Sequence, residues 1–356
     1  MKKITDKIEI TNNKFARNRI VMPPMDTLMG EDGLANDFHI QHYGSRSYGG
    51  IGTIIVESTA VSSEGRIREK DLGLWNDTQI APLAKVVDIA HQGGAVIGVQ
   101  LNHAGAKAEL DMQTIGVTNY FNYLNQSKLK IAEKSDLNRI ENDFISAAMR
   151  AKKAGFDFIE LHAAHGYLLN EIYHPLLNEV NKSSNIIERS EMIITIAKRI
   201  TQEVKIGIGI RFSVEDDVDE SPLKINDMKP LVEALDPYMS YFHISSGATI
   251  GVVYMGKIIK TAGTKLFRLK YAKEISKWTN KKIITVGNYQ NRSDIEVALK
   301  NDIDLVAIGR EIIFNPNIVI NSVLKAEELN ELYHWNNNIW WGPQQYKKLV
   351  EDLESK

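Results

Sequence analysis

Three side chains able to donate or accept a proton lie within six residues of one another: His162, His165 and Tyr167. They stand in the segment FIELHAAHGYLLNEIYHP, residues 158–175, and the run FDFIEL that leads into it is apolar enough for a buried strand. Two histidines, a glycine and a tyrosine directly after these apolar residues indicate that the buried strand ends there and that polar side chains follow it. Such a set suits a metal ion, an acid–base site or the cap of a helix.

The composition removes several classes of protein. The 356-residue chain has well-mixed charges and a formal net charge of -2, so it offers no basic face of the kind that a nucleic acid backbone requires. It has no cysteine, which excludes disulfides, thiolate metal ligands, iron–sulfur clusters and a cysteine nucleophile. The first residues, MKKITDKIEI, lead into no apolar signal region, and no run of about 18 apolar residues occurs. We therefore expect a cytoplasmic protein with no nucleic-acid or membrane partner.

Eight short β-rich runs recur along the chain, separated by Gly, Pro or polar residues and by helical patterns. They are almost continuously apolar, as strands buried on both faces are. The runs cover residues 19–25, 51–57, 95–101, 156–162, 205–213, 241–247, 282–288 and 304–310. Amphipathic patterns typical of helices occur at residues 82–92, 139–155, 188–204, 267–279 and 292–300.

Eight strands that alternate with helices predict one domain, residues 1–356, with the α/β fold of a (β/α)8 TIM barrel. An open doubly wound sheet would require a glycine-rich fingerprint after its first strand, and MPPMDTLMGEDG is not one. The segment IEITNNKFARN, ahead of the first strand, predicts an N-terminal hairpin that closes one end of the barrel. Residues 106–138 read as a long polar insertion, and a tail containing Trp335, Trp340 and Trp341 begins at about residue 326.

Polar residues at the C-terminal ends of barrel strands are the candidates for the site, because barrels of this kind place their active sites there. Besides the histidines and Tyr167, these strand ends carry Asp26, Gln100, Asn102, His103, Arg211, Gly287, Asn288, Gly309 and Arg310. Glycines at the ends of the last two strands let backbone N–H groups approach a phosphate, and an arginine adds a charged fork. Donors spread over so many strand ends fit flavin mononucleotide (FMN) better than a sugar phosphate.

Several longer segments resemble the Old Yellow Enzyme family of flavin-dependent ene-reductases, most closely its shorter, bacterial, thermophilic-like branch. The matching segments are NRIVMPPM, IIVESTAVSSEGR, DLGLWND, IGVQLNHAG, AGFDFIELHAAHGYLLNEI, SSGA and AIGRE. They run from about residue 7 to residue 316, which is nearly the whole chain. HAAHGYL together with QLxHAG is the most specific part of the resemblance.

The resemblance implies an FMN site. Its cofactor-binding residues would be Pro24, Met25, Asp26, Ala60, Gln100, Arg211, Gly287, Gly309 and Arg310. Gln100 would bond the pyrimidine edge, and Arg211 would lie near N1 and the C2 carbonyl, where its charge stabilises the reduced flavin. The two glycines and Arg310 would bind the phosphate.

The resemblance also implies a reaction and its catalytic residues. NADPH or NADH would reduce the flavin, and an activated C=C bond, in an α,β-unsaturated carbonyl or a nitro compound, would then take a hydride from flavin N5. His162 and His165 would bond the substrate's carbonyl oxygen and polarise the alkene. Tyr167 would supply the proton. The expected partners are a small-molecule substrate and further copies of the chain in a homo-oligomer.

Three departures from the family pattern concern the surroundings of this site. Asp26 stands where close relatives carry Cys and other branches carry Thr, and a carboxylate there disfavours the negative charge of a reduced flavin. Ala106 replaces the Arg of the family's HAGR, with Lys107 next to it. The loop at 178–189 lacks the family's Tyr-Gly-Gly run. These changes bear on the substrate and the hydride donor more than on the type of reaction.

Two other functions remain compatible with the sequence. One is a non-catalytic flavin-binding protein, which would not require the hydroxyl of Tyr167. The other is a flavin-free sugar-phosphate lyase or isomerase with His103 and His165 as acid and base, which would need a lysine or carboxylate deep in the barrel; apart from Asp26 the sequence shows none at a strand end. A metal site at His103, His162 and His165 lacks a carboxylate ligand and an H-E-x-x-H motif, so we predict no metal.

Overall fold

A computed structural model describes residues 2–121, 128–218, 220–250, 263–325 and 328. Its strands, in chain order, are β1 (Ile8–Thr11), β2 (Lys14–Ala16), β3 (Ile20–Met22), β4 (Thr53–Ala60), β5 (Leu72–Gly73), β6 (Val96–Asn102), β7 (Thr114–Gly116), β8 (Leu129–Ile131), β9 (Phe158–Ala163), β10 (Gly207–Ser213), β11 (Tyr241–Ser245), β12 (Lys282–Val286) and β13 (Leu305–Ala307). The helices are α1 (Asp37–Tyr48), α2 (Ile80–Gln92), α3 (Lys134–Lys153), α4 (Leu168–Tyr173), α5 (Ile186–Arg189), α6 (Glu191–Arg199), α7 (Lys229–Leu235), α8 (Leu269–Ile275), α9 (Arg292–Lys300) and α10 (Arg310–Phe314). The Trp-rich tail predicted from residue 326 falls almost wholly outside the described residues.

Eight of these strands form a closed parallel barrel, which confirms the predicted (β/α)8 fold. The strand order is β3, β4, β6, β9, β10, β11, β12 and β13. The ring closes because β3 pairs with both neighbours, Val306 of β13 with Ile20 and Thr53 of β4 with Val21. Every residue of β4, β6, β9, β10 and β11 is buried, which explains why the strands read as continuous apolar runs rather than alternating ones.

The first and last barrel strands are shorter than the sequence predicts. The strand predicted for residues 19–25 ends at Met22, because Pro23 and Pro24 have no N–H for the ladder. The strand predicted for residues 304–310 ends at Ala307. Arg310 therefore does not end a strand but begins α10, and it reaches the barrel rim from there.

Side chains fill the barrel in layers that pair a large ring with a glycine on the neighbouring strand. The ring of Phe158 lies 2.1 Å from where a Cβ on Gly98 would be, and the ring of Tyr241 lies 2.0 Å from where a Cβ on Gly209 would be. A side chain at either glycine would collide with the ring, so glycine is required there by packing. The two rings meet edge to face, with centroids 5.7 Å apart.

The N-terminal hairpin closes the amino end of the barrel, as predicted. β1 and β2 pair in antiparallel fashion, and Ile8, Ile10 and Ala16 join the apolar cluster inside the barrel that contains Phe158 and Tyr241. The hydroxyl of Ser240 donates to Thr11 Oγ1 at 2.8 Å. The hydrophobic core inside the barrel therefore extends past its amino end into the hairpin.

Two regions outside the barrel differ from the sequence-based expectation. The insertion at 106–138 contains the short parallel pair β7–β8, and α3 begins at residue 134 instead of residue 139. Helix α1 was absent from the predicted set because its buried face carries His39, Gly44 and Arg46, which break the apolar stripe that marks a helix. Within the described residues, no helix is long and apolar enough to span a membrane.

Candidate active site

The floor of the candidate site is a buried polar cluster centred on Glu160 of β9. Its carboxylate accepts hydrogen bonds from Gln100 Nε2 at 2.8 Å and from the hydroxyl of Tyr241 at 3.2 Å, and it pairs with His243 Nδ1 at 2.8 Å. All four side chains are buried. Because Glu160 occupies the amide nitrogen of Gln100, the amide oxygen of Gln100 is the atom left for a ligand. This carboxylate was not among the predicted site residues, because it lies within a strand and not at its end.

Above this floor, one level of the barrel presents polar atoms without partners. The strand register places His162, Arg211 and His243 side by side on β9, β10 and β11. Among the described residues, no hydrogen-bond partner is found for His162 Nδ1, Arg211 Nε or His243 Nε2. The same holds for both side-chain amide atoms of Asn102, which ends β6. Buried polar groups nearly always have partners, so this level fits a polar ligand with ring nitrogens and carbonyls.

A tight turn after β9 brings the three predicted catalytic residues together. The ring of His162 lies 5.1 Å from the ring of His165 and 5.0 Å from that of Tyr167, centroid to centroid. His165 has a left-handed backbone with φ of 64°, and Gly166 follows with φ of 78°. The backbone N–H of His165 donates to Ser213 Oγ at 3.0 Å, and its Nε2 lies 2.9 Å from Ser245 Oγ. This turn lets both histidines and the tyrosine face one volume.

The protonation states of these three side chains follow from burial and nearby charge. Burial, and next the positive charge of Arg211, lowers the pKa of His162 and of His165 well below the usual value, so both rings are neutral at neutral pH. Burial, and next the carboxyl of Asp26, raises the pKa of Tyr167 far above its usual value. The site thus presents two neutral imidazoles, each with one N–H donor, and a phenol that keeps its proton.

A cavity of about 310 Å³, within the usual range for ligand pockets, opens at the C-terminal rim of the barrel. None of the three turn residues lines it; Arg211, the neighbour of His162 on β10, connects the cavity to the turn. Its lining includes six of the predicted cofactor-binding residues: Pro24, Met25, Arg211, Gly287, Gly309 and Arg310. The guanidinium of Arg310 is exposed and donates to Asn288 Oδ1 at 2.9 Å. A Cβ on Gly309 would meet only Met25 Sδ at 3.4 Å and Pro23 Cγ at 3.7 Å, both ordinary contacts, so its backbone is accessible from the cavity.

A third arginine, Arg268, lines the same cavity and was missed in the sequence analysis. It donates to the hydroxyl of Ser246 at 2.9 Å and to the Ser246 carbonyl at 2.6 Å. Burial, and next the charge of Arg211, lowers the pKa of Arg268 to about 9, and Arg310 adds to this effect. Three guanidinium groups that repel one another around one cavity fit an anion such as a phosphate. No strand-end signal marks Arg268, because it stands just before α8.

Asp26 lines a neighbouring cavity, which shares Met25 with the first one. Its Oδ1 accepts a hydrogen bond from the Ser58 backbone at 3.2 Å. Burial of its carboxyl, then Asp71 and Glu57, raises the pKa of Asp26 to about 7, against the opposing effect of Arg211. The residue is still exposed on its cavity side, so a ligand that covered it would strengthen the effect of burial.

Ala60 and His103 lie outside this constellation. Ala60 is the last residue of β4, is buried, and does not line the cavity. Nδ1 of the buried His103 accepts the Gly105 N–H at 3.1 Å, so this nitrogen is occupied. Among the described residues there is no cluster of three or more His, Cys, Asp or Glu side chains that could bind a metal ion.

The donor set agrees with the shape and charge of FMN. The cavity's arginines match its phosphate, and the unpaired atoms of Arg211, His162 and Asn102 match the polar edge of its ring system. A barrel with these features at its C-terminal rim fits a flavin-binding oxidoreductase. The family model described as "NADH:flavin oxidoreductase / NADH oxidase family" matches residues 6–325. The chain belongs to this family and is an FMN-dependent NAD(P)H oxidoreductase, which confirms the predicted enzyme class and cofactors.

Relatives and solved structures agree with this assignment. The chain is 34% identical over 341 residues to an NADPH dehydrogenase of Listeria welshimeri, with 93% of this chain and 95% of the relative covered. An NADPH dehydrogenase of Clostridium acetobutylicum is 34% identical over 320 residues, with 87% and 91% covered. The structure of morphinone reductase superposes with a TM-score of 0.73 at 22% identity, covering 89% of this chain and 88% of that one. At this identity the likeness supports the fold alone.

Proposed function

We propose that this enzyme reduces activated C=C bonds, in α,β-unsaturated carbonyl or nitro compounds, with NADPH or NADH as reductant. The observation that carries the proposal is the cluster of His162, His165 and Tyr167, whose rings lie about 5 Å apart beside the arginine-lined cavity. Bound FMN supplies the hydride. The relatives named NADPH dehydrogenases favour NADPH as the donor.

The proposed roles follow from the protonation states of the three side chains. His162 and His165, both neutral, donate hydrogen bonds to the substrate's carbonyl or nitro oxygen and withdraw electron density from the alkene. Tyr167 keeps its proton at working pH and delivers it to the alkene carbon next to the activating group. Pro24, Met25, Asp26, Ala60, Gln100, Arg211, Gly287, Gly309 and Arg310 remain the proposed FMN contacts, and Arg268 joins them at the phosphate.

The Tyr167→Phe variant tests the proposal. We expect reduction of the bound flavin by NADPH to stay near the wild-type rate, whereas reoxidation by 2-cyclohexenone slows by about 10²-fold or more, the scale of a lost general acid. Stopped-flow absorbance measures the two half-reactions separately. His162→Ala and His165→Ala should instead weaken the binding of phenols, which give a long-wavelength charge-transfer band over oxidised flavin. Unchanged alkene reduction in Tyr167→Phe would remove Tyr167 from the reaction.

A further inference from the structure

Lys107 is a half-buried cation close to the turn that carries His165 and Tyr167, and no role has yet been assigned to it. It is the last residue of the 3-10 turn Gly105–Lys107 that follows β6. Its Nζ donates to the carbonyl of His165 at 2.8 Å and to the carbonyl of Ala248 at 2.9 Å. The ammonium therefore bridges the turn after β9 and the loop after β11.

The lysine side chain also packs against that turn. A Cβ on Gly166 would lie 2.8 Å from Lys107 Cδ and 2.8 Å from the Thr249 carbonyl, so the turn, the lysine stem and the loop are in close contact. The left-handed backbone of His165 is unfavourable for a residue with a side chain. It persists because neighbouring contacts fix it. Lys107 supplies the contact to its carbonyl, opposite the hydrogen bond that Ser213 makes to its N–H.

Two aromatic rings and two carboxyl groups lie near the ammonium. Nζ lies 5.5 Å from the ring centroid of Tyr167 and 5.3 Å from that of Phe121. Burial lowers the pKa of Lys107 to about 8, against the opposing carboxylates of Glu171 on α4 and Glu109 on its own loop. Its positive charge in turn contributes to the lowered pKa values of His162 and His165.

We propose that Lys107 is a positioning residue of the active site, which fixes the turn carrying His165 and Tyr167 against the loop after β11. The proposal rests on the proposed function. If Lys107 only stabilised the insertion, replacing it would lower the stability of the fold. If Lys107 positions the turn, replacing it also weakens the binding of ligands to His165 and Tyr167. The charge on Lys107 favours the bridge, so the bridge is strongest while the lysine is protonated.

Three variants of the FMN-loaded enzyme test this role. Lys107→Met keeps the length of the stem without the ammonium, Lys107→Arg keeps a charge that can reach two carbonyls, and Lys128→Met is the matched control on the insertion. Titration with a para-substituted phenol, followed by the charge-transfer band, gives the dissociation constant. We expect Lys107→Met to bind the phenol about 10-fold or more weakly, the scale of a lost charged hydrogen bond, with unchanged flavin content. Lys107→Arg and Lys128→Met should stay within about threefold of wild type.

The pH profile gives a readout that a purely stabilising lysine would not change. The rate of reoxidation by the alkene should fall in the wild type as pH rises through about 8, because the ammonium loses its proton there. In Lys107→Arg this decline should be absent, since a guanidinium stays charged. If Lys107→Met does not fold, the arginine variant alone decides through this profile.

Two results would overturn the role of Lys107: wild-type phenol affinity in a folded Lys107→Met, or an unaltered alkaline decline in Lys107→Arg. A wild-type enzyme that binds FMN and phenol but reduces no alkene would contradict the proposed function instead. The phenol titration would then still decide whether Lys107 positions the turn, so the two failures can be distinguished.

Discussion

Residue types and spacing predicted a group of proton donors and acceptors at the turn after β9, but they did not predict every polar group that lies near it. His162, His165 and Tyr167 are close in sequence, so their proximity in space follows from a single turn. Arg268 stands 57 positions after Arg211 in the sequence numbering, and the side-by-side arrangement of β10, β11 and β12 brings both to one cavity. Glu160 was not predicted as a site residue because it lies inside an apolar strand, where a single glutamate gives no pattern. Its role becomes clear only from its three buried partners in the structure.

Asp26 should make the reduction potential of the bound flavin depend on pH in a way that Asp26→Asn does not. With a pKa raised to about 7, the carboxyl is neutral below this pH and negative above it, so it opposes a reduced, negatively charged cofactor only at higher pH. At pH 8.5 we expect the wild-type potential to lie below that of Asp26→Asn or Asp26→Cys by an amount on the order of tens of mV. Near pH 5.5 the wild type and Asp26→Asn should agree.

Spectroelectrochemical titration between these pH values measures the effect, with Asp111→Asn, an exposed position on the insertion, as the control. A wild-type potential equal to or above that of both variants at pH 8.5 would show that Asp26 keeps its proton there or lies too far from the flavin.

At the scale of elements, one buried carboxyl group, on Glu171, attaches two separate points of the insertion after β6 to helix α4. Glu171 of α4 accepts the backbone N–H of Ala106 at 2.7 Å and that of Val117 at 3.0 Å. The side chain is fully buried, and burial raises the pKa of Glu171 to about 8. Sequence patterns could not reveal this link, because the two amides belong to an irregular segment with no periodicity.

The Glu171→Gln variant should lose about 2 kcal/mol of stability, because glutamine has one acceptor oxygen for two buried N–H groups. Chemical denaturation measures this loss, and limited proteolysis should show faster cleavage within residues 104–118. Glu191→Gln, at an exposed glutamate that begins α6, is the control and should change neither result. Wild-type stability in Glu171→Gln would mean that water or a rearranged loop satisfies both amides.

At the scale of the whole molecule, the alternation of strands and helices sufficed to predict the barrel, since each strand is buried on both faces and must read as apolar. The strand ends were harder to predict. Proline ended β3 early, and Gly309 turned the chain into α10 where a continued strand was expected. The packing inside the barrel depends on pairs such as Gly209 and Tyr241, in which a glycine leaves room for a ring on the neighbouring strand. Such pairs can be recognised only when the strand register is known.

The cofactor-free protein should become less stable as pH rises from about 6.5 to 8. Burial raises the pKa of Glu57 to about 7 and that of Glu171 to about 8. A carboxyl whose folded-state pKa is raised stabilises the fold while protonated, and this stability is lost as pH rises through the folded-state pKa. The buried histidines act in the opposite sense, but their lowered pKa values confine that effect to pH below about 6.5.

Differential scanning calorimetry at both pH values checks this prediction, with a lower midpoint expected at pH 8. Glu171→Gln should show a smaller drop, because one of the carboxyls that titrate in this range, which include Glu57 and Asp26, is gone. A midpoint that rises with pH would mean that groups other than these carboxyls determine how many protons the folded protein binds relative to the unfolded one.

The hairpin that closes the amino end of the barrel, together with the polar floor at Glu160, has a kinetic consequence. Phe158, Tyr241 and Ile10 occupy the axis below that floor, so no small molecule passes through the barrel. Every reactant must arrive and depart on the side where the histidines and arginines are found. We predict that nicotinamide and the proposed alkene bind at one position on this side, so that the oxidised nucleotide leaves before the alkene enters. Steady-state kinetics should then show strict alternation of the two half-reactions, with inhibition by whichever reactant is in excess.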